Sequence, residues 1–383
     1  MKHLQRFIAK TVTSFIKNKD SKKRTYELIA EFRFFDFIQV NKFNKTQCRE
    51  NTVLLVETNG CHGEVVSAHW QYFKELGYNV DILMHGFIYN ENHFARQDTS
   101  DIHIFHCHST AMHKIFKSKK MQQYKAIVIM TPMNYTFASQ SVMEMFPELN
   151  KFDNLYTIAH NVSDAEKYLS SFNQKHIFGV GDKLKDYPRL NPILFGKLNK
   201  QNTKHNITTF ITVGGITKQR KNHDILFKSM EILLDKGYKF NVIIVGSGGK
   251  FNNISKKIRP YLYTPGRQVS DKMFSLMEKS DFFLTLWDKK VESQVKYGKN
   301  HISGSSQLIY AFNKIPLVQK EFADFYDFND KNSIIYEDDN LADAMEQAIL
   351  MNDKQYLKLY NELDKLSKSV YEESKQNIKK MIK

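Results

Sequence analysis

Short β-branched apolar runs alternate with amphipathic helical stretches along most of this chain, and the series occurs twice. Residues 52–58, TVLLVET, form the first run, followed by the loop Asn59-Gly60-Cys61-His62-Gly63 and a helical pattern over 64–76. Gly77 stops that helix and 78–85 supplies the next strand, so the unit reads as strand, glycine loop, helix, parallel strand. Runs at 102–109, 125–131, 154–160 and 176–181 continue the alternation. Two prolines and a loss of periodicity over 187–195 mark a boundary.

After a polar linker, 196–206, the grammar restarts with a strand over 207–215 that ends in a glycine pair. A helix over 222–237, closed by Gly237, leads to a strand and glycine loop at 239–249. A helix over 270–280, a strand at 281–287, a helix opening after 303–306, and strands at 315–319 and 333–339 follow. Asn340 with Asp343 reads as the cap of a helix over 341–350. Two consecutive series of this kind predict an α/β protein: two Rossmann-like, doubly wound domains facing each other across a cleft. The expected limits are an N-terminal basic helix and lead-in at 1–50, a first domain at 51–195, a second at 196–353 and a helical tail at 354–383.

Composition narrows the picture less than pattern does. The 383 residues suit two domains, and 42% hydrophobic content is that of a folded chain. A formal net charge of +15 leaves nucleic acid, anionic lipid and phosphorylated small molecules open as partners. Residues 1–22 place Leu4, Phe7, Ile8, Val12, Phe15 and Ile16 on one stripe among lysines and Arg6, a basic amphipathic helix. Such a helix either packs on its own protein or lies on an anionic membrane surface. Cys48, Cys61 and Cys107 have no metal-like spacing and read as reduced thiols. No run is long and apolar enough to span a bilayer, and no secretion signal is legible, so a cytoplasmic protein is expected.

Ligands of open parallel sheets bind beyond the carboxyl ends of the strands. The loop after residue 213 carries Lys218, Arg220 and Lys221, a cluster suited to a diphosphate or simply a solvated basic turn. Ser303, Gly304, Ser305 and Ser306 precede an apolar helix and would offer amides and hydroxyls to an anion, or plain N-capping by one serine. In the first half, Gly60 and Gly63 permit close approach of a ligand, and His62 and His160 end strands facing the cleft. His160 is the better candidate to touch a sugar hydroxyl, whereas His106 and His108 read as structural. No P-loop, Asp-x-Asp metal motif or His/Cys cluster is present, so chemistry without a metal or cofactor is expected. No aromatic-basic module speaks for nucleic acid.

Four segments in order resemble the GT-B glycosyltransferases of the "group 1" (family 4) kind, typical of bacterial envelope polysaccharide synthesis. ITVGGITKQRKNHDIL resembles the family's phosphate loop, and TPGRQVSDKMFSLMEKSDFFLTL its nucleobase turn. ISGSSQLIYAFNKIPLV resembles its Gly-x-Pro-Val-Val helix, and DIHIFHCHS the Asp-Val-Ile-His-x-His strand of its first domain. The resemblance runs from about Thr52 to about Glu373. It implies that Arg220 and Lys221 grip a donor diphosphate, that Gly266, Arg267 and Val269 border the base, and that His160 lies near the transferred sugar. It also implies transfer from a nucleoside diphosphate sugar to a hydroxyl of a glycan or lipid-linked acceptor, with retention, at the inner face of the cytoplasmic membrane. A sugar-nucleotide 2-epimerase and a non-catalytic nucleotide-binding paralogue share the fold and remain alternatives. The sequence departs from the family in two places. Gly214-Gly215 replaces its Gly-Arg, and alignment on Pro316 puts His301 and Ile309 where the family carries a Glu pair. His301 therefore joins Gly60, His62 and Gly63 as a sugar or acceptor contact, in a subfamily that uses the Ser-Gly-Ser-Ser loop.

Overall fold

A computed structural model describes residues 33–58, 63–86, 92–130, 142–159, 176–180, 187–217, 219–248, 254–298, 301–337 and 339–383, together with 11, 14–16, 166 and 251. The basic helix expected over 1–22 lies almost wholly outside the described residues. The described chain opens with α1 (Arg33–Lys45), then β1 (Thr52–Glu57), α2 (Gly63–Glu75), β2 (Asn79–His85), β3 (His103–Cys107), α3 (Ser109–Phe116), β4 (Ala126–Met130), β5 (Leu155–Ala159) and β6 (Ile177–Gly179). The second series is β7 (Thr208–Val213), α4 (His223–Asp235), β8 (Phe240–Val245), β9 (Leu262–Gly266), α5 (Ser270–Glu278), β10 (Phe282–Leu284), α6 (Gly304–Phe312), β11 (Ile315–Gln319), β12 (Ile334–Tyr336), α7 (Leu341–Leu350) and α8 (Asp353–Met381).

The strands form two six-stranded sheets, β3-β2-β1-β4-β5-β6 and β12-β11-β10-β7-β8-β9. Every strand pair in them is parallel. Helices cover both faces of such sheets, so central strands are apolar on both sides, and all six residues of β1 and of β7 are buried. This is the doubly wound pair expected from the pattern. Each sheet reverses its order of winding once, between β1 and β4 and between β7 and β10. Those two switch points are where a crevice opens.

Two elements were not legible beforehand. α1 packs on β3 and α3, and its Asp36 carboxylate accepts the His108 backbone N–H at 2.9 Å. β9 is an edge strand of five residues that includes Pro265 and Gly266, a composition that reads as a turn. Helix α7 starts where expected, but the Asn340 side chain makes no capping bond. The true capping box is Asn352 with Gln355, which opens α8.

α8 is no free tail. Its stripe Tyr356, Tyr360, Leu363, Ser367, Val370, Ser374 and Ile378 is buried, at the spacing of one helical face. Tyr356 packs edge-on against Phe282 of the second half. At the other end Tyr78 and Tyr156 of the first half donate hydrogen bonds to the carbonyls of Ile382 and Met381 at 2.8 and 3.1 Å. The halves also meet directly. Arg96 binds Asp271 at 2.7 Å and Ser275 at 2.8 Å, and pairs with Glu278, all on α5. Phe195, Phe274 and Phe312 continue the apolar core from one half into the other.

Candidate functional site

A cavity of about 510 Å³ opens at the β7/β10 switch point. Its floor is made by glycines for a steric reason. Gly214 follows β7 with φ +138°, a conformation L side chains avoid. A Cβ on neighbouring Gly246 would sit 1.7 Å from the Gly214 carbonyl oxygen, so the two backbones touch only because neither carries a side chain.

The turn after the glycines aims the cations. The backbone N–H groups of Arg220 and Lys221 both donate to the Thr217 carbonyl, at 2.9 and 3.0 Å. Asn222 then caps α4 by accepting from the Ile225 N–H at 3.1 Å, and donates to Asp288 at 2.7 Å. Held between these anchors, Lys221 is driven inward and is only 6% exposed. Its Nζ donates to the Thr285 carbonyl at 2.8 Å and lies 5.8 Å from the centre of the Phe283 ring. No described carboxylate offsets its burial, and desolvation brings its pKa from 10.5 to about 7. A shift of that size is worth roughly 5 kcal/mol against the charged form. Arg220 stays exposed and donates to the Tyr297 hydroxyl at 2.5 Å.

The opposite wall is the start of α6. Ser303 occupies the N-cap position, yet its side chain makes no capping bond. Its hydroxyl meets that of Ser305 at 3.0 Å instead, and its N–H donates to the Tyr326 hydroxyl at 2.9 Å. Ser306 is turned back, donating to the Ser303 carbonyl at 2.6 Å. The first-turn amides and two hydroxyls thus border the cavity beside Gly304, at the positive end of a helix dipole. His301 is half-buried below them, edge-on to Tyr297 with ring centres 6.2 Å apart. Burial first, and Lys296 second, lower its pKa.

The structure therefore gathers Arg220, Lys221, His301, Ser303, Gly304, Ser305 and Ser306 around one space. Gly266 lies on the same sheet edge two strands away, its carbonyl accepting from the Gly246 N–H at 3.2 Å. Arg267 and Val269 lead from it into α5, outside this cavity. Gly63 is the buried first residue of α2. Gly60, His62, His160 and Lys218 lie outside the described residues. His108 keeps a structural role, its Nδ1 3.1 Å from Asp36. Trp287 and Thr285, which line the cavity, carried no sequence signal beyond their place at the end of a strand. Among the described residues no cluster of three or more His, Cys, Asp or Glu is arranged to hold a metal ion. No described helix is long and apolar enough to cross a membrane.

No protein-family model matches the sequence, and no curated protein matches it. Solved structures do match. A glycosyltransferase from Rickettsia africae ESF-5 is similar with a TM-score of 0.57 at 14% identity, over 88% of this chain and 98% of that one. The likeness is one of fold: GT-B. The pneumococcal O-GlcNAc transferase GtfA in complex with UDP and GlcNAc follows the same course with a TM-score of 0.54 at 9% identity, over 88% of this chain and 99% of that one. An alpha-glucosyltransferase in complex with UDP and a 13-mer DNA gives 0.50 at 12% identity, over 86% and 96%. The chain therefore has the two-sheet GT-B architecture that those transferases share.

Proposed function

We propose that this chain is a glycosyltransferase that holds the diphosphate of a nucleotide-sugar donor between Lys221, Arg220 and the 303–306 turn. The observation that carries this reading is Lys221, a buried ammonium with no described carboxylate to offset its burial, beside an arginine and an uncapped helix start. A cation kept at such cost is relieved by an anion that arrives with the substrate. The fold neighbours named above as complexes with UDP support a nucleoside diphosphate as that anion.

In the proposed reaction the bond from the sugar's anomeric carbon to the diphosphate oxygen breaks, and its electron pair stays on the diphosphate. Lys221 and Arg220 hold that growing charge, and the α6 amides add dipole stabilisation. The acceptor hydroxyl oxygen forms the new bond, and its proton passes to the departing diphosphate, a route compatible with retention. His160 would position the sugar. We place the acceptor among glycans or lipid-linked glycans of envelope polysaccharide synthesis, with no metal required. The basic segment at 1–22 would then rest on anionic lipid at the inner membrane face.

A panel of UDP, GDP, ADP and dTDP, with EDTA present, should include one nucleotide that raises the melting temperature. No shift with any of them removes the donor site. Given donor and membrane lipid, mass spectrometry should show a glycosylated acceptor. Sugar-nucleotide turnover without an acceptor would instead point to the epimerase. Removal of residues 1–20 should release the protein from vesicles of phosphatidylglycerol, and unchanged retention would make that segment a packing element.

A further inference from the structure

Helix α1 buries two polar side chains and leaves two large apolar ones in water. Asp36 and Gln39 face inward, and both are used: Asp36 accepts the His108 N–H, and the Gln39 side-chain oxygen accepts the His106 N–H at 3.3 Å. The outward face carries Phe37 and Ile38, which are 63% and 45% exposed, followed at helical spacing by Asn41, Asn44 and Lys45. Large apolar side chains left side by side at a surface mark a place that meets something less polar than water.

The same face runs on into a basic groove. Asn44 accepts from the Ser118 hydroxyl at 2.8 Å, which ties the end of α1 to the end of α3. Beside that tie lies a groove of about 590 Å³ lined by five lysines. Two of them are already matched: Lys120 is buried against the Phe43 carbonyl and Asp81, and Lys117 lies 3.3 Å from Glu148. Lys45, Lys114 and Lys119 are exposed and, among the described residues, form no ion pair. Their groove begins about 10 Å along the helix from the apolar pair, at 1.5 Å per residue. A soluble phosphate or a nucleic acid would pair with the lysines but leave Phe37 and Ile38 in water. The boundary of an anionic bilayer satisfies both, with phosphates beside acyl chains. Since Asp36 is bound to His108, just past the end of β3, the apolar end of α1 lies toward the carboxyl ends of the strands, where the crevice opens.

We infer that the outer face of α1, with Lys45, Lys114 and Lys119, docks on an anionic phospholipid bilayer, Phe37 and Ile38 entering the acyl boundary while the lysines meet headgroup phosphates. This deepens the membrane reading of the preceding section, which gave that role to 1–22 alone; two weak contacts on one chain reinforce each other. The test is sedimentation of the full chain with phosphatidylcholine vesicles, with and without phosphatidylglycerol. Lys45→Gln with Lys114→Gln and Lys119→Gln should weaken binding to the anionic vesicles about a hundredfold, and the gap should narrow as salt rises. Phe37→Ser with Ile38→Ser should weaken it about tenfold at low and high salt alike. Circular dichroism should stay native in both, since all five side chains are exposed. Native affinity for the anionic vesicles in either variant overturns the docking face and leaves the transferase reading standing. Loss of binding to a duplex DNA oligonucleotide in the lysine variant, with vesicle binding unchanged, overturns it in favour of nucleic acid. A full chain that sediments with neither kind of vesicle removes both this face and the membrane role of 1–22, and leaves the donor site to its own nucleotide test.

Discussion

Lys120 in the first half and Lys221 in the second are each 6% exposed, and the chain treats them in opposite ways. Lys120 donates to the Phe43 carbonyl at 3.0 Å, sits 4.4 Å from the centre of the Phe43 ring, and has Asp81 at 3.8 Å. Asp81 also accepts from Tyr124 at 2.8 Å and faces His103 at 2.9 Å. Burial lowers the Lys120 pKa, and Asp81 pulls it back up. Lys221 has a carbonyl and an aromatic ring but, among the described residues, no such carboxylate, and burial lowers its pKa. A buried cation that serves the fold is given its counter-ion by the fold. In the proposed function, Lys221 takes its counter-ion from the donor diphosphate instead.

The comparison can be broken most directly at the ligand. Replacing both cations, Lys221→Ala with Arg220→Ala, should weaken nucleoside diphosphate binding about a hundredfold or more while circular dichroism stays native, since hydrogen bonds to charged groups contribute about 1.5–3 kcal/mol each. Unchanged calorimetric affinity would make the 218–221 turn an ordinary basic loop.

Stability should separate the two lysines in sign. Lys120→Met strands the Asp81 charge among fewer partners and should cost about 2 kcal/mol in urea unfolding. Lys221→Met removes a lone buried charge at the expense of the Thr285 carbonyl's donor, and should raise the stability of the empty protein by about 1 kcal/mol at pH 7. The pH dependence sharpens this. The folded pKa of Lys221, about 7, lies below its ordinary 10.5. Below pH 7 both folded and unfolded chains hold the proton, and the cost of burying the charge is fully present. Between the two values only the unfolded chain holds it, so native stability should rise with pH relative to Lys221→Met. A constant difference between the two proteins across that range would mean that Lys221 is not buried as a lone cation. By the same linkage, an anion that restores the charge should bind with proton uptake above pH 7.

Local pattern was enough to place the strands. Apolar runs such as TVLLVET and ITTFITV recur because parallel strands buried on both faces tolerate little else, and that constraint acts residue by residue. Glycine loops and helix stops were legible for the same reason: φ preference belongs to the residue itself. β9 escaped because Pro265 and Gly266 make an edge strand look like a turn. α8 was legible as a helix but not as the element joining both halves, since its Tyr356 bonds the Asp281 carbonyl 75 residues back and the carbonyl of Ile382 at its end is met by Tyr78, 304 residues away.

At the site, the sequence determined which residues carry charge and which can begin a helix, and hence that 218–221 and 303–306 were worth attention. Only the tertiary structure decided that Arg220 and Lys221 share a cavity with 303–306, that Lys221 points inward while Arg220 stays at the rim, and that the Ser303 side chain makes no capping bond. Residue type fixes what a side chain prefers over one or two turns of chain. Its depth from water, and the neighbour that offsets its charge, are set by segments dozens of residues distant, which pack together only when the two sheets close around their helices.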